Sequence, residues 1–112
     1  MRDDKIAAFL PLRPIEFEIL LALADEERHG YAIHKEVARR SAGQVVLEPG
    51  TLYRALRRLL ESRLVAERRP APSEDERRRT YRLTDLGRRV AAAEAERMAA
   101  LVSAARRVLE RT

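Results

Sequence analysis

A mainly α fold with one small β-hairpin and a long C-terminal helix is predicted by three features of this sequence. Apolar residues recur at helical spacing in three successive segments before Leu64, short strand-like segments then flank a proline-rich tip, and a last helical pattern runs from Thr84 to about Arg111. Three helices followed by a two-stranded hairpin, the third helix basic on one side, is the element order of a winged helix-turn-helix.

Pro14 suits the first turn of a helix, where its missing N–H costs nothing. Ile15, Ile19, Leu20 and Leu23 follow at helical spacing, and Phe17 and Leu21 widen the stripe enough to bury this helix on more than one side. The segment DEERHG is expected to end it, and the residues before Pro14 form a short, mobile lead. A second helix begins near Gly30 and Tyr31, buries Ile33 and Val37, and stops at Ser41-Ala42-Gly43. QVVL is an extended connector. Pro49 opens the third helix, whose buried side is Leu52, Leu56, Leu59 and Leu60, with Glu48 at the positive end of its dipole.

LVAERR and RRTYRL are candidate strands, separated by the exposed tip PAPSEDE. Thr84 is a good N-cap for the last helix. Run to Arg111, that helix is roughly 40 Å long, whereas a domain of about 80 residues has a radius of gyration near 12 Å. It must project from its own domain. Ala91, Ala95, Met98, Val102, Ala105 and Leu109 form an a/d seam on it, and Leu86, Val90, Leu101 and Val108 a second apolar strip. One strip serves the domain and the other a second copy, so residues 1–83 are assigned to the winged domain with its lead and residues 84–112 to a dimerisation helix. The plainer alternative is an alanine-rich helix folded back onto the core.

The net charge of the 112 residues is +5, and its distribution is more informative than its size. Residues 54–89 hold 12 Arg and no Lys against 6 acids, so the whole positive excess lies in one third of the chain. This is the footprint of a polyanion-binding surface, although a solvated arginine-rich face would look the same by composition. With Leu52 at 0° and about 100° per residue, Leu56 and Leu59 stay on one side. Arg54, Arg57 and Arg58 fall between about 140° and 240°, on the opposite side. The planar guanidinium fork grips guanine edges or phosphate, and a major groove admits one helix. Arg54 and Arg57 are therefore candidates for base contact, and Arg58 for phosphate. Thr51 and Tyr53 carry hydroxyls at the helix start, within reach of phosphate or in local capping and packing roles. Arg77, Arg78 and Arg79 supply a wing, of which alternation sends at most two toward one phosphate track. Lys35 lies on the polar side of the second helix.

Other function classes lack their residues. There is no cysteine, no glycine-rich phosphate loop and no cofactor motif, and His29 and His34 would point about 140° apart on one helix. Neither an enzyme nor a metal site is expected. The longest apolar run, Ile19 to Ala24, falls well short of a membrane span, and MRDD does not resemble a secretory signal, which gives a cytoplasmic expectation. Five scattered aromatic rings do not make an RNA-stacking platform. A dimeric nucleic-acid binder or protein-interaction adaptor without operator specificity is the competing function.

HGYAIHKEV, EPGTLYRALRRLLESRLV and RRRTYRLTDLGRR, in this order, resemble the PadR family of bacterial transcriptional regulators over about residues 12–92. The resemblance implies a homodimeric winged-helix repressor of the short form with a single C-terminal dimerisation helix. It places DNA-reading roles on Thr51, Tyr53, Arg54 and Arg57, supported by Tyr31 and Lys35 and flanked by Arg78 and Arg79. Glu48 departs from the serine that caps this helix in many relatives, and Arg54 from a frequent proline. Some relatives bind aromatic molecules between the first and C-terminal helices. An apolar effector site near Phe9, Phe17, Met98 and Val102 is expected on that basis, unless these residues only pack the dimer.

Overall fold

The computed structural model describes residues 4–68, 72 and 79–111. The elements are α1 (Asp4–Ala7), α2 (Pro14–Ala22), β1 (Arg28–His29), α3 (Gly30–Arg40), α4 (Pro49–Glu61), β2 (Val65–Arg68), β3 (Thr80–Leu83) and α5 (Asp85–Glu110). Both helix-opening prolines stand where their fixed φ and missing donor are tolerated, at the start of α2 and α4.

The core is built where the leucine stripes converge. Ile19 and Leu20 of α2, Ile33 and Val37 of α3, Leu52, Leu56 and Leu59 of α4, Leu64, and Val90 of α5 are all buried. Each such side chain contributes about 1.5–3 kcal/mol on burial, and Val65 and Tyr81 of the sheet join the same cluster.

Two elements differ from the sequence expectation. The lead is not free: α1 packs on α5, with Ile6 buried in the core. A single turn is too short to show periodicity, so this packing left no local signal. DEERHG ends α2 but also supplies β1, in which Arg28 pairs with Tyr81 and His29 with Thr80. The hairpin thus becomes a three-stranded antiparallel sheet in the order β1-β3-β2. A two-residue strand has no alternation to detect, and only the neighbouring β3 makes it one.

α5 leaves the domain as its length requires. Thr84 caps it, its hydroxyl oxygen accepting from the Gly87 N–H at 2.9 Å. The 26 residues that follow are about 39 Å of helix, and the molecule reaches 61 Å along its longest axis. Gly87, Val90, Ala91 and Glu94 are buried against the domain. From Ala95 to Arg111 every residue is exposed except Ala104, which is half-buried. The first turns of α5 therefore belong to the core of the winged domain, and its second half stands outside. Among the described residues, no helix is long and apolar enough to cross a membrane.

Candidate nucleic-acid interface

α3 and α4 touch at their N-terminal ends. The Tyr53 ring lies across Gly30, where an added Cβ would meet the Tyr53 hydroxyl and stand 2.9 Å from its Cζ. This contact joins the HGY segment to the PGTLY segment. Tyr31 is 70% exposed and Tyr53 51% exposed, and together with His34, Leu47, Pro49 and Leu52 they border a groove of about 210 Å3. The Lys35 ammonium stands 5.7 Å from the centre of the Tyr31 ring, within cation–π range, and the His34 ring is 5.9 Å away.

On α4, Arg54 and Arg57 are exposed opposite Leu52, Leu56 and Leu59. Arg54 Nη2 approaches the Thr51 hydroxyl at 3.4 Å, folding the guanidinium back over the helix start. Glu48 is the N-cap residue and makes no capping hydrogen bond, as its departure from serine implied. Tyr53, Arg54 and Arg57 are exposed on α4, as are Tyr31 and Lys35 on α3, whereas Thr51 is half-buried beside Arg54.

Arg58 has a partner on another helix. Its Nε donates to Glu16 Oε2 of α2 at 2.7 Å, so its guanidinium is held by a carboxylate while its side chain stays 41% exposed. The angular position of Arg58 on the helix was legible in sequence, whereas its partner, on another helix, was not. Arg78 lies outside the described residues, as do Arg77, Glu74 and Asp75. Arg79 lies 3.5 Å from Glu67 Oε2 across the hairpin.

Two buried carboxylates hold the frame. Glu36 receives a bidentate pair from Arg39 at 2.9 and 2.6 Å and a further contact from Arg40 at 2.7 Å, with Arg28 at 3.8 Å. Those arginines, Arg39 foremost, outweigh burial and lower the Glu36 pKa to about 2. Arg28 also donates to the Ala22 carbonyl at 2.7 Å, which ties the end of α2 to β1 and α3. Glu94 of α5 binds Arg97 through both oxygens and accepts the Leu12 N–H at 3.0 Å. Arg97 holds its carboxyl below the ordinary range despite burial. The Glu36–Arg39 and Glu94–Arg97 spacings were visible in sequence as i,i+3 pairs; their burial and their links to Arg28 and Leu12 were not.

The expected effector residues are only partly brought together. Phe17 and Met98 line one groove of about 270 Å3 with Leu12, Pro14, Leu21 and Arg97. Val102 joins Met98 along a second, on the outer part of α5. Phe9 borders neither and packs half-buried against the core. On the seam, Ala95, Met98, Val102, Ala105 and Leu109 are exposed, whereas Ala91 is buried in the core of its own domain, because α5 has not yet left it there.

The sequence model of the PadR-like transcriptional regulator family matches residues 19–93, from the core of α2 through the third turn of α5. The chain belongs to this family. A 37.1 kDa protein of transposon Tn4556 from Streptomyces fradiae is 43% identical over 83 residues, covering 74% of this PadR-like chain and 22% of that protein. The chain therefore spans about a fifth of the length of that relative. A transcriptional regulator from Clostridium thermocellum superposes with a TM-score of 0.73 at 20% identity, covering 96% of each chain. Bacillus subtilis PadR, solved in complex with operator DNA, superposes with a TM-score of 0.64 at 23% identity, over 74% of this chain and 47% of its own. These likenesses establish the fold: a winged helix with a C-terminal helix, as the element order predicted.

Proposed function

We propose that this PadR-like regulator binds double-stranded DNA sequence-specifically as a homodimer and represses transcription by occupying a pseudo-palindromic operator. The observation that carries the reading is the exposure of Tyr31 and Lys35 on α3 and of Tyr53, Arg54 and Arg57 on α4, with Thr51 half-buried beside Arg54, where the N-terminal ends of the two helices touch. Helix ends with free donors and arginine forks are what a major groove accepts, and α4 backed by leucine is rigid enough to read it. The fold shared with Bacillus subtilis PadR, solved in complex with operator DNA, supports DNA binding by this chain.

The exposed apolar residues of outer α5 supply the second copy's contact, and a two-fold dimer sets its recognition helices in successive major grooves about 34–36 Å apart. The groove beside Phe17 and Met98, walled by α2 and α5, is where a small apolar effector would act. Selection from random duplex DNA at two salt concentrations, with the solution mass recorded, tests the reading. An enriched two-fold motif bound by a dimer supports it. Binding without enrichment that fades uniformly with salt leaves a non-specific polyanion binder and defeats it.

A further inference from the structure

Arg58 follows Arg54 by one helical turn on the exposed side of α4, yet its guanidinium is turned toward α2 and bonded to Glu16 at 2.7 Å. The Glu16 side chain is only 12% exposed and that of Arg58 41%. A carboxylate so far withdrawn from water is left uncompensated if its cation departs, which sets this pair apart from freely solvated surface pairs. Its other basic contact, Arg13 at 3.9 Å, is a poor substitute, since the Arg13 side chain is 70% exposed and lies beyond hydrogen-bond distance.

We propose that Glu16 is a positioning residue that withholds Arg58 from the DNA backbone, so that α2 limits how many phosphates the recognition helix engages. This rests on the DNA-binding reading above. A phosphate and the Glu16 carboxylate compete for one guanidinium, and both make charge-assisted hydrogen bonds. Removing the negative charge from Glu16 leaves a neutral acceptor, and the competition then favours phosphate. Affinity for operator and for random duplex rises alike, because a backbone contact carries no sequence information.

The readout is the slope of log affinity against log salt for operator and for random duplex DNA. Glu16→Gln steepens it by about 1.8, one additional phosphate contact from each protomer of the dimer. Its affinity advantage over the unsubstituted protein then shrinks about twelvefold between 50 and 200 mM salt. Glu18→Gln, which removes the same charge from the same helix, leaves the slope as it was. So does Arg58→Gln alone, and in the Arg58→Gln background Glu16→Gln has no effect. The Arg58→Gln arm holds even if Glu16→Gln fails to fold: a slope that falls by about 1.8 shows Arg58 already on phosphate in both protomers and overturns the inference. An equal steepening by Glu16→Gln and Glu18→Gln, or no steepening at all by Glu16→Gln, also overturns it. Unsubstituted protein that binds no duplex DNA overturns the proposed function itself, an outcome distinct from a failure confined to these variants.

Discussion

The Tyr53 ring crosses Gly30 so closely that even a methyl group at Gly30 would overlap the phenol. Helices α3 and α4 thus approach through a residue without a side chain, and the phenol is held where the N-terminal ends of both helices meet.

Gly30→Ala tests that contact. Gly30 is the first residue of α3, where the helix-propensity gain of alanine over glycine is smaller than in a helix interior, and Tyr53, half exposed, can swing outward. Thermal stability should therefore move little while operator affinity falls by about 1–3 kcal/mol. Tyr53→Ala should lower affinity similarly, with no added loss in the double variant.

Gly87→Ala should have the opposite balance. A Cβ there would meet the Leu64 carbonyl and stand 2.7 Å from Leu83 Cδ1, and the carbonyl cannot swing aside. That oxygen also accepts from Thr84 N at 3.1 Å and from its hydroxyl at 3.0 Å, which fixes the α5 junction. A stability loss of about 1–3 kcal/mol by denaturant unfolding is expected; an unchanged midpoint would show that the junction is loose.

The Glu36 cluster gives a pH dependence of known sign. With the folded pKa at about 2 against an ordinary 4.5, the ionised group is favoured in the folded state. Its stabilising contribution is complete above pH 4.5 and is lost as pH falls toward 2. The melting-temperature gap between the unsubstituted protein and Glu36→Gln should accordingly narrow over that window. A gap independent of pH would mean the arginines do not favour the carboxylate.

Arg57→Ala should cost about 1–3 kcal/mol on the selected operator and much less on random duplex. An equal loss on both would make Arg57 a backbone contact and not a reader.

Met98 and Val102 are 41% and 47% exposed on the part of α5 that has left the domain. Replacing both with glutamate should convert the proposed dimer to a monomer by solution mass with helical content retained. Persistence of the dimer would place the seam elsewhere.

The proline starts of α2 and α4, the Thr84 cap, the leucine stripes, the excess length of α5 and the exposed side of α4 follow from local rules of spacing and capping, and each was legible in the chain alone. The family resemblance also rested on contiguous motifs, and the match over residues 19–93 spans all three. What only the tertiary structure decided concerns partners distant in sequence. β1 exists because β3 lies beside it, α1 because α5 shelters Ile6, and Ala91 joins the core because α5 departs one turn later. Arg58 shows the difference most sharply: its face followed from about 100° per residue, but its bond to Glu16 crosses between two helices whose approach is set by buried leucines. Local geometry orients a side chain, whereas the packing of the whole core chooses which charge it meets.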